Sequence, residues 1–308
     1  SSKEEILEAV VWAKEKNIPF FILGSGANIL VGDRGYRGLV VKNEAKKFVI
    51  LGSDMTPESS KEWIPHQVRD DKLLTAESGA IVGDIITKTS ELGLSGFEHF
   101  AGIPSTVGGA LWQNLHFLSP DRSRTVYISE ILESAEVLSF SSSESEGHVE
   151  KGEGSRVVRP GGLPRTTTVT PDYFKFGYDY STLHESQDIV LSATFKLVPK
   201  TPEEVQSTVK SNLDWRASKH PENAVNRSAG SVFKKIEGHG AGRLIQEVGL
   251  KGHQIGGAKI SDKHANFIVN ERGATAKDVR DLIELVEKTV KEKLGLSMQP
   301  EISFVGEF

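Results

Sequence analysis

The segment 228–235 (SAGSVFKK) contains the residue types best suited to chemistry in this chain. It sets the hydroxyl of Ser231 between a glycine and two apolar residues, and Lys234 and Lys235 follow. A hydroxyl kept from water in a small-residue turn beside cations loses its proton more easily, so Ser231 is a candidate for proton transfer. Since the chain has no cysteine, such chemistry must use Ser, Tyr, His, Lys or a carboxylate. Taken alone, the segment also fits a strand end with a tight turn.

Two glycine-rich segments could hold an anionic ligand. Residues 24–28 (GSGAN) follow a predicted strand and offer successive backbone N–H groups without bulky side chains, a concavity suited to a diphosphate. Residues 104–110 (PSTVGGA) add two hydroxyls and the predicted start of a helix, whose N-terminus favours anions. Neither has the spacing of a Rossmann fingerprint or a P-loop. Each alone fits a plain turn, but the two together favour a dinucleotide site.

Composition excludes several classes of protein. With 308 residues the chain is long enough for two domains. Its hydrophobic fraction of 37% and charged fraction of 26% are typical of a soluble globular protein, and its net charge of −5 argues against a general nucleic-acid binder. We find no signal-peptide pattern and no apolar run that would span a bilayer, so we expect a cytoplasmic protein without a membrane partner.

The elements that must position these residues follow from hydrophobic periodicity and capping signals. A first helix opens with a capping box of Ser2 and Glu5, and a second domain begins at Thr201 with an N-cap followed by Pro202. Residues 52–72, with Pro57, Pro65 and many charges, are expected to be a poorly ordered surface insertion, and 139–170 to be a mobile loop or disordered, because that stretch contains too few large apolar side chains to form a core. Strands are predicted at 20–23, 39–41, 73–77, 189–197 and 266–270, and further helices at 82–92, 241–248 and 275–294.

Several of these segments carry a family resemblance. Residues 23–41 and 100–114 (FAGIPSTVGGALWQN) resemble the two FAD-cradling segments of flavoproteins of the vanillyl-alcohol-oxidase type. Residues 228–235, 241–270 and 300–306 (PEISFVG) together resemble the UDP-N-acetylenolpyruvoylglucosamine reductase family. The resemblance implies an α+β fold. An FAD-binding domain of the vanillyl-alcohol-oxidase/PCMH type, with two α+β subdomains, would occupy residues 1–200, and a smaller α+β substrate-binding domain would occupy residues 201–308.

The resemblance also implies an activity. Members of that family use NADPH and FAD to reduce the enolpyruvyl ether of UDP-N-acetylglucosamine to UDP-N-acetylmuramate, for peptidoglycan synthesis. We expect non-covalent FAD, because residues 24–30 contain no His or Cys that could tether it. NADPH would be the co-substrate, and we expect a monomer without a metal or a nucleic-acid partner. The alternatives are a flavin-binding protein of this fold with altered or lost activity, and a flavin oxidase acting on an alcohol or sugar.

Individual residues acquire roles by the same resemblance. Ser231 falls on the family's proton-donor serine and Glu301 on the carboxylate that assists the enol intermediate. The expected substrate contacts are Tyr178, Lys219, Lys235 and His264. The expected FAD contacts are Gly24, Ser25, Gly26, Ala27, Asn28, Ile29, Leu30, Gly102, Ile103, Pro104, Ser105, Thr106, Gly108, Gly109, Asn114 and Arg216.

The sequence departs from the family pattern at several places. Asp179 stands where the family has an arginine after a Gly-Tyr pair, which inverts the charge. Three explanations stay open: another cation (Lys175 or one from 156–165) takes that role, the activity is altered, or the alignment slips by one residue. Lys235 replaces the usual Asn. A glycine-rich strand that precedes the first helix in the family is not in this sequence, so we expect one flavin contact fewer. Between residues 250 and 256 there is no tyrosine-bearing insertion, which indicates the subtype without that loop.

Overall fold

The structure is a computed structural model, and it describes residues 2–51, 72–140, 164–221, 227–236 and 238–308. Helices and strands are mixed along the chain, as the α+β prediction requires. The helices are α1 (Lys3–Glu15), α2 (Val82–Glu91), α3 (Val107–Gln113), α4 (Pro202–Lys219), α5 (Ala241–Glu247) and α6 (Ala276–Leu294). The strands are β1 (Phe20–Leu23), β2 (Ile29–Val31), β3 (Leu39–Lys42), β4 (Phe48–Leu51), β5 (Lys72–Glu77), β6 (Leu94–Ser95), β7 (His116–Leu118), β8 (Thr125–Tyr127), β9 (Leu132–Ser139), β10 (Arg165–Val169), β11 (Ile189–Pro199), β12 (Gln254–Ile255), β13 (Ala258–Ile260), β14 (Ile268–Asn270) and β15 (Ser303–Val305).

An antiparallel sheet forms the centre of the first half. Its strand order is β10-β9-β11-β5-β4, and β6 pairs with the end of β11. Alternate side chains of β11 (Leu191, Ala193, Phe195 and Leu197) are buried, as expected for a strand with one face on the core. Ala193, Phe195 and Leu197 pack in one core with apolar residues of α2 and α3, and Phe195 meets Phe97 edge-on with ring centroids 4.9 Å apart, whereas Leu191 packs against residues of α1.

One predicted irregular segment is shorter than expected. The prediction placed 139–170 outside regular structure, but Ser139 ends β9 and Arg165–Val169 forms β10, which pairs antiparallel with β9. Threonine at 166–168 has a high propensity for β-strands. This propensity favours an edge strand here, although the side chains are mostly exposed. Residues 141–163 and 52–71 lie outside the described part of the chain, and Lys72 already belongs to β5.

The second half has its own core. Strands β12, β13 and β14 form an antiparallel sheet against which α5 and α6 pack. The predicted stripe of α6 is confirmed, because Leu282, Ile283, Val286 and Val290 are buried in that core. Helix α4, which follows the predicted domain boundary at residue 201, instead lies against the first core through Val209 and Trp215. The boundary itself therefore stays a prediction.

Two sets of hydrogen bonds connect the halves. Strand β15, near the C-terminal end of the sequence, pairs in parallel with β2, so that Ser303 is the partner of Ile29 and Val305 that of Val31. The carboxylate of Asp33 accepts hydrogen bonds from the backbone N–H groups of Ala276 (2.7 Å) and Lys277 (3.0 Å) at the start of α6. A carboxylate at this position satisfies free N–H groups and complements the helix dipole. None of the described helices is both long enough and apolar enough to cross a bilayer.

We predict that Phe195→Ala lowers the free energy of unfolding by about 3–5 kcal/mol, since it removes a fully buried ring and leaves a cavity. The control is Val198→Ala on the same strand, where the side chain is 52% exposed and a change within about 0.5 kcal/mol is expected. Urea unfolding of both variants measures the difference. Equal effects of the two substitutions would show that β11 is not the centre of the core.

Candidate active site

A cavity of about 1410 Å³ lies where the two halves meet. Pockets for drug-sized ligands are usually about 300–1,000 Å³, so this one has room for a dinucleotide and a second ligand. Both halves contribute to its wall. The predicted site residues that line it are Gly24, Ser25, Gly26, Ala27, Asn28, Ile29, Ile103, Pro104, Ser105, Thr106, Gly108, Gly109, Tyr178, Arg216, Ser231, Lys235, His264 and Glu301.

The first glycine-rich loop presents free backbone donors to the cavity. Gly26 has φ +67°, a conformation that other residues rarely adopt. Among the described groups, none accepts a hydrogen bond from the backbone N–H of residues 25–28. A Cβ at Gly24 would lie 2.7 Å from Oγ1 of Thr106, so the absent side chain lets the two loops approach. Consecutive N–H groups without protein acceptors form the kind of concavity that binds phosphate oxygens.

The second glycine-rich segment is held by the protein itself. The N–H groups of Val107 and Gly108 donate to the carbonyls of Ala80 (2.9 Å) and Ser78 (2.7 Å). Those of Gly109 and Ala110 donate to the side chain and carbonyl of Thr106, the N-cap of α3. The N–H groups of residues 107–110 therefore already have protein acceptors, and the binding of an anion at this helix start stays a prediction. The segment contributes a closely packed wall.

Arg216 is a half-buried cation, and no anionic side chain among the described residues pairs with it. Burial lowers the pKa of its guanidinium to about 10, which leaves it charged at neutral pH. It lies 5.5 Å from the centre of the Phe117 ring, and no described residue accepts a hydrogen bond or forms an ion pair with its side chain. A Cβ at Gly102 would meet its Nε at 3.1 Å, so that glycine makes room for it. A desolvated guanidinium facing a cavity fits a phosphate or carboxylate of a ligand.

The turn that carries Ser231 is fixed by the backbone around it. Gly230 has φ +82°, and Ser231 forms a β-bridge with Phe267. Asn266 then binds both polar backbone groups of Phe233, accepting from its N–H at 3.0 Å and donating to its carbonyl at 2.9 Å. The backbone of Ser231 is thereby held at the cavity wall.

Glu301 is tied to both halves of the molecule. Its backbone N–H donates to the carbonyl of Val232 at 2.7 Å, directly after Ser231. Its carbonyl accepts from Nδ2 of Asn28, in the first glycine loop, at 3.4 Å. The side chain is largely buried, and burial together with the charge of Asp179 raises its pKa to about 8, although Lys234 and Lys235 act in the opposite direction. A carboxyl group with such a pKa is protonated at neutral pH and can act as an acid.

Tyr178 and Asp179 form the opposite side of the same cluster. Burial and the carboxylates of Asp179 and Glu301 raise the pKa of the Tyr178 phenol, which stays neutral and can donate a hydrogen bond. Its ring lies 4.7 Å from that of His116, centre to centre. Burial lowers the pKa of His116, and Asp179 only partly opposes this, so the imidazole is neutral at pH 7.

His264 lies deeper in the wall. Its Nδ1 accepts a hydrogen bond from the N–H of Asn266 at 3.2 Å, which leaves the proton on Nε2. Burial lowers its pKa and lowers that of the neighbouring His220 to about 3, so both rings are neutral at pH 7. Within the described ranges, no group of three or more His, Asp or Glu side chains is arranged to hold a metal ion.

Four predicted site residues do not line the cavity. Leu30 packs against the second core, and Lys219 is exposed at the end of α4. Gly102 lies directly beside the side chain of Arg216. Asn114 caps α3 with φ +48° and donates to the carbonyl of Gly177 at 2.9 Å, so it shapes the turn before Asp179. Lys175, one candidate for the missing cation, is also away from the cavity wall, and of the other candidate stretch residues 156–163 lie outside the described residues.

Sequence reasoning missed residues that matter to the geometry. Asn266 lies within the motif DKHAN, but its fixing of the Ser231 turn depends on a partner 33 positions away. His116 does not belong to any of the motifs named above, and it lies beside Tyr178 only in the folded chain. Trp112 stacks on His184 with ring centres 4.5 Å apart, and both rings line the cavity. None of these contacts has a local signal.

Comparison with known proteins agrees with this arrangement. The profile described as "FAD binding domain" matches residues 1–140, and the profile described as "UDP-N-acetylenolpyruvoylglucosamine reductase, C-terminal domain" matches residues 220–305. A UDP-N-acetylenolpyruvoylglucosamine reductase of Clostridium botulinum (strain Eklund 17B / Type B) is 34% identical over 307 residues, covering 100% of this chain and 85% of the relative. One of Caldanaerobacter subterraneus is 36% identical over 306 residues, covering 99% and 85%.

A solved structure gives the same result. The UDP-N-acetylenolpyruvylglucosamine reductase (MurB) of Thermus caldophilus superposes with a TM-score of 0.67 at 27% identity, over 99% of this chain and 90% of that one. The fold and the cavity thus define a flavoprotein of the vanillyl-alcohol-oxidase/PCMH type with an added C-terminal domain. Within that class, the chain belongs to the UDP-N-acetylenolpyruvoylglucosamine reductase family.

The raised pKa of Glu301 predicts a pH-dependent stability. The folded-state value of about 8 lies above the ordinary value of 4.5, so between these limits the folded protein holds more protons than the unfolded one. The contribution of Glu301 to stability must therefore fall as the pH rises through this window. Glu301→Gln, which has no proton to lose, should have a melting temperature that exceeds the wild-type value more at pH 8 than at pH 5.

The control is Glu271→Gln, an exposed glutamate of the same half. Differential scanning calorimetry without substrate across this pH range makes the comparison. If Glu301→Gln and Glu271→Gln give parallel profiles, the buried acid is not protonated in the folded protein.

Proposed function

We propose that this protein uses NADPH and FAD to reduce UDP-N-acetylenolpyruvoylglucosamine to UDP-N-acetylmuramate, a peptidoglycan precursor. The observation that carries the proposal is the meeting of three groups in one cavity. The hydroxyl-bearing turn of Ser231 is bonded to the backbone of Glu301, and Glu301 is bonded to the glycine loop at Asn28. A proton donor, an acid and a dinucleotide loop are thereby held in fixed relation, as a reduction of a polarised double bond requires.

The first glycine loop and its surroundings fit FAD. The free N–H groups of residues 25–28 and the unpaired guanidinium of Arg216 offer donors and positive charge for a diphosphate. When bound, FAD would accept a hydride from NADPH and pass it to the enolpyruvyl double bond. We propose non-covalent attachment, since no His or Cys occurs at residues 24–30.

Ser231 is proposed to protonate the substrate carbon next to the one that receives the hydride. The reduction adds one hydride and one proton across the double bond, so a protein acid must supply the second. Glu301 is proposed to stabilise the enol that forms in between, by a hydrogen bond from its protonated carboxyl group. A backbone hydrogen bond joins Glu301 to the residue after Ser231, and both residues line the cavity.

The remaining predicted contacts divide by position. Tyr178, Lys235 and His264 line the cavity and are proposed to bind the substrate, Tyr178 as a neutral donor. Lys235 is exposed and can reach an anionic group as a flexible point charge. Lys219, exposed at the helix end, would contribute only long-range attraction for the substrate phosphates. We also propose a cytoplasmic monomer, since every group that the reaction uses lies on one chain.

A catalytically altered flavoprotein is the second candidate, and one observation favours it. Asp179 places a carboxylate at the cavity where the family pattern has a cation. An anionic substrate would meet additional negative charge there unless the neighbouring carboxyl group is protonated. Nothing in the cavity favours the flavin oxidase over these two candidates.

For Ser231→Ala we predict a selective loss in one half-reaction. Reduction of the bound flavin by NADPH needs no proton from Ser231 and should proceed at the wild-type rate. Reoxidation by UDP-N-acetylenolpyruvoylglucosamine should slow by roughly 10²–10⁴-fold, and Ser231→Cys should recover part of the loss because a thiol can also donate a proton. Anaerobic stopped-flow absorbance follows both steps.

The matched control is Ser228→Ala, which removes a hydroxyl from the same turn. Ser228 accepts a long hydrogen bond of 3.4 Å from the N–H of Gly230, so its loss tests the turn without the proposed donor. It should leave both half-reactions nearly unchanged. Equal slowing of both steps in Ser231→Ala would point to a packing role and remove the catalytic assignment.

A further inference from the structure

Asp179 is a carboxylate buried at the cavity wall. Its side chain is 1% exposed, and it lies in the turn closed by the hydrogen bond of 3.0 Å from the N–H of Gly177 to the carbonyl of Tyr180. The backbone is left-handed there, with φ +49°, a conformation that Asp and Asn tolerate better than most residues. A carboxylate so placed has lost its water, so it needs hydrogen-bond donors from its surroundings.

No described side chain gives Asp179 a hydrogen bond of normal geometry, although the phenol of Tyr178 lies near enough to interact with it. Neither carboxylate oxygen of Asp179 accepts a hydrogen bond from the described residues. Nδ1 of His116 lies 3.7 Å from Oδ1, too far for a hydrogen bond, and faces the carbonyl of Asn114 at 3.2 Å instead. Since burial lowers the pKa of His116, this ring brings no charge to Asp179 at neutral pH.

Glu301 is the neighbour that can supply a donor. Its carboxyl group lies against that of Asp179, and it becomes a donor only when it carries a proton. The other groups that face it are the phenol of Tyr178 and the ammonium groups of Lys234 and Lys235. Neither lysine forms an ion pair with Asp179 or Glu301 within the described part of the chain, so no close cation neutralises the pair.

We infer that Asp179 holds a proton on Glu301, so that without substrate the two form a carboxylic acid–carboxylate pair that shares this one proton. The proton comes from solvent and no other bond changes. Two like charges in a buried site cannot both be present without a large cost, which is why one of the pair keeps its proton. Asp179 is thus a positioning residue that acts through Glu301.

The direction of the pKa agrees with this arrangement. Burial is the largest cause that raises the pKa of Glu301 to about 8, and the charge of Asp179 is the second. The charges of Lys234 and Lys235 lower the pKa of Glu301, but by less than burial and Asp179 together raise it. In the reaction, which rests on the proposed function, the single O–H of Glu301 can turn from Asp179 to an oxygen of the substrate carboxylate. Above its pKa, the same site would present two negative charges to an anionic substrate.

The test uses the FAD-loaded protein and does not need the substrate. Infrared difference spectroscopy across pH 5–10 follows the carbonyl stretch of a protonated carboxylic acid. In the wild type, a band should be present at pH 7 and disappear with a midpoint near 8, and Glu301→Gln should abolish it. Asp179→Asn keeps the turn and the shape but removes the charge, so the midpoint should fall by about one unit or more.

Asp172→Asn is the matched control, because it makes the same chemical change seven positions earlier at an exposed site and should leave the band as in the wild type. The inference is overturned if the wild type has no such band at pH 7. It is equally overturned if the band survives in Glu301→Gln, or if Asp179→Asn leaves the midpoint in place. The first two outcomes do not depend on the folding of Asp179→Asn.

A second measurement separates this inference from the proposed function. Reoxidation of the NADPH-reduced flavin by UDP-N-acetylenolpyruvoylglucosamine should slow above the wild-type midpoint, and in Asp179→Asn the slowing should begin at lower pH. The NADPH step should lack this pH dependence. If the substrate fails to reoxidise the flavin while the infrared band behaves as expected, the proposed function fails and the carboxyl pair stands. Reoxidation with the same pH profile in both proteins would overturn the role of Asp179.

Discussion

The parallel pairing of Ser303–Val305 with Ile29–Val31 is the constraint on which the site depends. Glu301 lies two residues before one strand and Asn28 one residue before the other, so the pairing places the acid beside the glycine loop. The bond from the N–H of Glu301 to the carbonyl of Val232 then adds the turn of Ser231. Each such bond contributes only about 0.5–1.5 kcal/mol, but together they fix groups that lie far apart in sequence.

The cavity concentrates charge that the protein does not neutralise. Among the described residues, no anion binds the guanidinium of Arg216 or the free N–H groups of the glycine loop. Asp179 and Glu301, in turn, are carboxyl groups without a close cation. Elsewhere, for example at Asp33 on the start of α6, charged groups have partners. Unpaired charges in a desolvated cavity reduce stability, and their concentration here is typical of a site arranged for ligands rather than for folding.

Local signals in the sequence were enough to predict the six helices, five of the fifteen described strands and many residues that line the cavity. The capping box of Ser2 and Glu5, the N-cap at Thr201 and the stripe of α6 all depend on neighbours in sequence, and the structure confirms them. The strand at Arg165–Val169 was missed because its order comes from pairing with β9. The N–H groups of Val107 and Gly108 bind the carbonyls of Ala80 and Ser78, and no local pattern shows that these donors are already used. The burial of Asp179 against Glu301 is likewise a tertiary effect.

The most direct test of the account is to identify the nucleotide product. The FAD-loaded protein is incubated with NADPH and UDP-N-acetylenolpyruvoylglucosamine in the absence of oxygen. The nucleotides are then separated, and their molecular masses are measured by mass spectrometry. The account predicts that NADPH and substrate disappear in equal amounts and that the product is heavier by two hydrogen atoms, as for UDP-N-acetylmuramate. Recovery of unchanged substrate beside a flavin that NADPH has reduced would contradict it.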